Sequence, residues 1–234
     1  MTDRLERLTK NRIVCATRPE AQAFLASRMD TRPLEAGSVL YEKSQNFTHA
    51  IFPHTGIISL MAEMSDGRSV EKASIGNEGF LGFTYLMGGT DSISRTIVQV
   101  PGIASWLTMS DLDEAMQRFV CVREVMLRYS KALIIQLMES VACNTLHTAE
   151  QRVSRWLLHA DDRLGGADFQ LTQKAMSEVL GVRRATISQV CSDLLEFEAI
   201  IYSRGIISIL NRDILRNHAC SCYDRVTEAS ISTD

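Results

Sequence analysis

The hydrophobic pattern of the chain changes period once, and that change constrains the fold more than any other feature. From Pro33 to Trp106, short apolar runs are cut by turn residues. The runs are Val39-Leu40-Tyr41, Ala50-Ile51-Phe52, Ile57 to Ala62, Val70 to Ile75, Thr96 to Val100 and Ile103 to Leu107. Their separators are Glu35-Ala36-Gly37, Pro53 to Gly56, Asp66-Gly67, Gly76-Asn77 and Pro101-Gly102. Many short strands at such spacing predict an antiparallel sandwich, barrel or jelly roll. Asp66-Gly67 between two alternating runs predicts a hairpin. Beyond Leu107 this punctuation stops, and Phe119 to Asn144 runs for 26 residues without Gly or Pro.

Helical spacing replaces the alternation. Pro19 to Arg28 predicts a short surface helix, and Ser110 is expected to cap another. In the long run, Val122, Met126, Tyr129, Leu133, Leu137 and Ser140 fall on one stripe at three- and four-residue steps. A helix of this length exceeds the usual ~11 residues, and a small sheet domain would cover only part of it. The stripe is therefore expected to be a two-fold dimer seam, with Gln136 and Ser140 fixing register. The alternative is a core helix of one subunit. Next, Leu146, Ala149, Val153, Trp156, Leu157, Ala160 and Leu164 predict an amphipathic helix that stops at Gly165-Gly166. Two short helices follow, then a hairpin of Ile200-Ile201-Tyr202, turn Ser203-Arg204-Gly205 and Ile206 to Leu210. The expected class is α+β. The stretches are a helix and sheet domain over 1–118, a seam helix over 119–144, a helical and then briefly strand-like domain over 145–223 and a tail over 224–234.

Charge narrows the function. The 234 residues are 45% apolar and carry a net charge of −3, which excludes a disordered chain and a bulk polycation. Any nucleic-acid contact must then come from a local basic face. No stretch reaches the ~18 apolar residues of a membrane span, and the charged start MTDRLERLTKNR has no signal core, so a cytoplasmic location is expected. The six cysteines suit reduced thiols. Only His218-x-Cys220-x-Cys222 clusters, and with no second ligand pair in view no metal site is expected.

A local basic face is present. In Leu171 to Leu195, Thr172 is a good N-cap, and Ala175, Met176, Val179 and Leu180 form an apolar helix face. Gly181 supplies a tight turn into a second helix with Ile187, Val190, Cys191 and Leu194 facing inward. The opposite face shows Arg184, Ala185, Ser188, Gln189 and Ser192, with no acidic residue from Arg183 to Ser192. Such a surface suits the DNA major groove, with Arg204 at the tip of a hairpin wing. The expected contacts are Thr172, Gln173, Arg183, Arg184, Ala185, Thr186, Ser188, Gln189, Ser192 and Arg204.

These motifs in this order resemble the Crp/Fnr superfamily of transcriptional regulators. The carriers are Leu34 to Tyr41, Ile51 to Gly56, Asp66-Gly67, Ile75 to Gly82, Gln151 to Leu158 and the helix-turn-helix run. The resemblance implies a cyclic-nucleotide-binding-like β-roll, a dimerisation helix and a winged helix on palindromic double-stranded DNA, with RNA polymerase a candidate partner. The effector pocket it implies falls on Gly82, Phe83, Thr84, Arg95 and Thr96. Relatives that bind cyclic nucleotides place a carboxylate where Phe83 stands, and phenylalanine cannot accept from a ribose hydroxyl. Cyclic AMP is therefore not expected, and the effector is unassigned. An iron–sulfur cluster is not expected with Cys15 alone at the N-terminus. Haem is not expected from the single histidines His49, His54, His147 and His159. The competing classes are a jelly-roll metal enzyme, which lacks a His-x-His pair, and a ligand-binding subunit without a DNA role, which leaves the basic-faced helix unexplained. Neither is favoured, and the chain is not expected to be an enzyme.

Overall fold

The computed structural model describes Glu6 and residues 8–230. Met1–Leu5 and Arg7 of the charged start, and residues 231–234 of the expected tail, lie outside the described residues. The class is α+β. The chain divides into two compact units, each discontinuous in sequence rather than a contiguous stretch. The first holds the described residues up to Ile58 and Ser74–Ile134; the second holds Ser59–Ala73 and Ile135–Ala229.

In the first unit, helices α1 (Arg12–Cys15) and α2 (Pro19–Arg28) precede the strands β1 (Asp30–Leu34), β2 (Val39–Tyr41), β3 (His49–Glu63), β4 (Ser69–Ile75) and β5 (Arg95–Thr108). The sheet order is β1-β5-β3-β4, with β2 also on β5. β1 runs antiparallel to β5 from Asp30 opposite Trp106 to Leu34 opposite Gly102. The β3–β4 hairpin turns at Asp66-Gly67, and its outer part belongs to the second unit. Phe52, Phe80, Ile51, Ile57, Ile75 and Leu107 are fully buried, each contributing roughly 1.5–3 kcal/mol. The Phe52 and Phe80 rings stack at 5.5 Å. Asn11, with no exposed surface, caps α1 by accepting from Ile13 N and Val14 N. Its Nδ2 donates to Pro53 O and Gly79 O, both at 2.8 Å, so a buried amide is satisfied rather than costly.

Helix α3 (Met109–Arg118) is capped by Thr108, whose hydroxyl accepts from Asp111 N, and not by Ser110. Strand β5 runs to Thr108, so the cap lies where the strand ends.

Helix α4 (Val120–Leu146) overturns the expected dimer seam. Val122, Met126, Tyr129 and Leu133 are at most 3% exposed within this single chain. Tyr129 packs on Phe80 at 5.5 Å, and a Cβ at Gly79 would lie 2.1 Å from its ring, so only glycine admits the approach. Leu137 and Ser140 are half-buried, and Ser140 Oγ donates to Gln136 O at 2.8 Å. The stripe is core. The face left open carries Val120, Leu127, Ile134, Met138 and Val141, which are 44% to 70% exposed. Four of these, Val120, Leu127, Ile134 and Val141, recur at seven-residue steps.

The second unit follows. Helix α5 (Ala149–Leu164) opens with a capping box of Thr148 and Gln151, which leaves Leu146 on α4 instead. Then come β6 (Phe169–Gln170), α6 (Gln173–Leu180), α7 (Arg184–Glu196), β7 (Ile200–Ser203), β8 (Ile206–Ile209), α8 (Arg212–Asn217) and α9 (Cys222–Ala229). The three strands order as β6-β8-β7. Helix α9 runs into the stretch expected as a tail, anchored at its start by buried Cys222 and Tyr223, whose Oη donates to Asp162 at 2.9 Å.

Candidate nucleic-acid interface

Thr172 Oγ1 accepts from Ala175 N at 3.1 Å and starts α6. Gly181 ends it at φ 60°, ψ 34°, a left-handed conformation that glycine adopts without steric cost. Arg152 of α5 donates to Leu180 O, placing a cation on the carbonyl end of α6. On the inner face of α7, Ile187, Val190, Cys191 and Leu194 are buried. Burial pushes the Cys191 thiol up to about 11, so it acts as a small apolar group rather than a nucleophile.

The outer face is open. Arg183, Arg184, Ala185, Thr186, Gln189 and Ser192 are exposed, and Ser188 is half-buried. Arg183 occupies the N-cap of α7 without a side-chain cap bond, and no acid sits in the first turn. The first-turn N–H groups are thus unblocked and face an approaching anion favourably. Among the described residues, no carboxylate pairs with Arg183, Arg184 or Arg204. Ser192 Oγ is turned back onto Ser188 O at 3.0 Å. Gln189 Nε2 donates to Asp193 Oδ1 at 2.7 Å, a partner one residue beyond the acid-free window. That bond orients the amide but leaves its oxygen and second N–H open.

In the hairpin, Ser203 opposes Ile206, and Arg204 (φ 52°) and Gly205 (φ 80°) form the two-residue turn. Both central residues at positive φ make it type I′, which matches the strand twist and leaves Arg204 exposed at the tip. Exposed Thr172 uses its hydroxyl as the cap, and half-buried Gln173 donates its backbone N–H to Tyr202 Oη at 3.2 Å, tying α6 to the wing.

The residues of the expected effector pocket lie in the first unit and are largely committed. Gly82, at φ 111°, precedes the 3₁₀ turn Phe83–Met87, and Phe83 is buried. Thr84 Oγ1 lies 3.5 Å from Asp91 O. Arg95 pairs with Glu42 at 3.4 Å. Thr96 Oγ1 accepts from Tyr41 N at 3.0 Å and donates to Tyr41 O at 3.3 Å, so it serves the sheet. A cleft of ≈ 430 Å³ in the same unit is lined by Tyr85, Gly88, Asp113, Arg123 and Leu127, and by none of those five.

The histidines do not converge. His54 Nε2 bonds Ser105 Oγ at 2.7 Å, and burial with nearby Lys10 lowers the ring to about 4. His218 pairs with Glu150 and stacks on Phe197 at 4.6 Å, apart from the two cysteines that follow it. Those cysteines meet Cys143 and His147 instead, a grouping the local spacing did not disclose.

Residues 151–218 match the family model of the Crp-like helix-turn-helix domain. A search of curated proteins found no significant match. Among solved structures, FixK2 from Bradyrhizobium japonicum is similar at a TM-score of 0.70 and 18% identity, covering 82% of this chain and 98% of that one. A putative cAMP-binding regulatory protein from Silicibacter pomeroyi is similar at 0.64 and 15%, covering 94% and 100%. The c-di-GMP responsive global regulator CLP of Xanthomonas campestris is similar at 0.61 and 12%, covering 82% and 99%. The chain thus has the fold seen in Crp/Fnr-family regulators, and its residues 151–218 match the Crp-like helix-turn-helix domain.

Proposed function

We propose that the protein is a sequence-specific transcription regulator that binds a two-fold symmetric operator as a homodimer. The observation that carries this reading is the pair of unpaired arginines on an acid-free, uncapped helix start, beside a wing tipped by a third. Arg184 has the fork for guanine O6 and N7, Ala185 suits a thymine methyl, and Gln189 suits adenine N6 and N7. Arg183, Thr186, Ser188, Ser192, Thr172 and Gln173 are the residues we assign to supporting DNA contacts, and Arg204 to the backbone from the wing. The second copy covers the open α4 face, since Val120, Leu127, Ile134 and Val141 at seven-residue spacing suit a self-complementary seam. Half-sites then fall about one helical turn apart.

The functional division is a sensing roll over 1–118, a dimerisation helix over 119–144 and a reader from 145 onward that takes in α9. Effector control resides in the roll, and RNA polymerase is the partner through which a bound dimer acts. No described helix is long and apolar enough to cross a membrane, and a DNA-binding role suits a cytoplasmic location. With Phe83 buried and Arg95 already paired, the roll needs no cyclic AMP; tight calorimetric binding of cyclic AMP that is lost on Arg95→Ala would overturn this.

Selection from a random DNA library tests the central claim. The expected motif is two-fold symmetric, with a guanine whose preference flattens in Arg184→Ala protein. An asymmetric motif, or one unchanged by Arg184→Ala, rejects it.

A further inference from the structure

The second unit holds a four-donor cluster that DNA reading does not use. Cys143 and His147 lie four residues apart at the end of α4, and Cys220 and Cys222 flank the start of α9. Their three sulfurs and one imidazole nitrogen all lie within 4.8 Å of one another. Cys143 Sγ is 3.5 Å from Cys220 Sγ, and Cys222 Sγ is 3.6 Å from His147 Nδ1. In a tetrahedral zinc centre, bonds of about 2.3 Å to sulfur and about 2.0 Å to nitrogen put sulfurs about 3.8 Å apart and sulfur and nitrogen about 3.5 Å apart. The donors therefore reach a common ion with shifts of a few tenths of an ångström to about 1 Å.

We propose that Cys143, His147, Cys220 and Cys222 form a closed structural site for one thiophilic divalent ion, zinc by its donor set. Four protein ligands leave no open position, so the site is a clasp rather than a catalytic centre. Three thiolates and a neutral imidazole around a divalent ion carry a net charge of about −1. The surroundings suit that charge: Arg152 and Arg155 act electrostatically on the cysteines, and the Nε of each is buried without an acceptor among the described residues. The three cysteines are buried together, away from competing solvent. A Cys143–Cys220 disulfide would account for two donors and leave the convergence of Cys222 and His147 unexplained. An iron–sulfur cluster would spread its ligands around several irons, whereas these four point to one. The clasp joins positions 77 residues apart, holding the end of α4 to the segment after the wing.

The test is metal analysis of the reduced full-length chain, grown with zinc and purified without chelator. About one zinc per chain is expected, and cobalt(II) added to stripped protein should give tetrahedral thiolate-to-cobalt absorption. Loss of an outer-sphere partner alone typically costs 10–100-fold in affinity, so Cys220→Ser and His147→Ala should each weaken cobalt binding by roughly 100-fold or more. Cys15→Ser and Cys121→Ser should change nothing. A cobalt-silent wild type with less than about a tenth of a zinc per chain overturns the proposal, whatever the variants do. So does a cobalt spectrum unchanged by Cys220→Ser, or a Cys143–Cys220 disulfide as the purified state under reductant. None of these readouts involves DNA, so failure of the operator selection leaves the metal site untouched.

Discussion

Helices α4 and α7 carry the same kind of signal, an apolar stripe at helical spacing, yet only one stripe could be assigned from its period. In α7, Ile187, Val190, Cys191 and Leu194 are the inner face, and the rest of the surface through Ser192 is polar or small. One apolar stripe has one place to go. In α4, Val122, Met126, Tyr129 and Leu133 form one stripe, while Val120, Leu127, Ile134 and Val141 form another. A helix that is apolar nearly all round must bury two faces, and periodicity cannot tell which face its own chain covers. The decision came from residues distant in sequence: Gly79, cleared for the Tyr129 ring, and Phe80 packed against it.

The largest expected effect breaks that comparison directly. Leu133→Asp puts an unpartnered charge in the core of one subunit and should cost several kcal/mol, so the chain should fail to fold. Ile134→Asp, one residue away, should keep thermal stability within a few degrees but shift the dimer to monomer in analytical ultracentrifugation. If both variants give folded monomers, the assignment of the two faces is wrong.

The next effect is smaller and concerns α7. Arg184→Ala should remove roughly 1–3 kcal/mol of discrimination at a single base pair, read by competition binding. Arg204→Ala should instead weaken all sequences alike and lower the salt dependence by about one phosphate's share. The smallest effect sharpens the reading of Gln189. Asp193→Ala frees the amide from its 2.7 Å bond and should relax the adenine preference by about 0.5–1.5 kcal/mol without moving the motif's symmetry. An unchanged preference would show that Asp193 does not hold the amide in its reading orientation.

The fold was legible where local chemistry decides. Asp66-Gly67, the Pro19–Arg28 helix and the Gly181 turn follow from residues within a few positions of each other. The helix-turn-helix was legible for the same reason. What escaped depended on pairing at a distance. Cys143 lies 77 positions from Cys220, so the run His218-x-Cys220-x-Cys222 offered a histidine that in the fold turns to Glu150, and hid the one at 147. The pocket residues Arg95 and Thr96 escaped likewise, because their partners Glu42 and Tyr41 arrive from β2 and its end.

The outer β3–β4 hairpin makes the second unit depend on a segment far upstream of it in sequence. Glu71 of that hairpin accepts from Trp156 Nε1 at 3.1 Å and from Ser59 Oγ, all within the second unit, and burial holds its carboxyl above the ordinary range. A reader cut out at position 145 loses this acceptor and bares the indole. A chain in which Ser59–Ala73 is replaced should therefore keep the second unit intact only when the incoming hairpin again supplies an acceptor for the Trp156 indole.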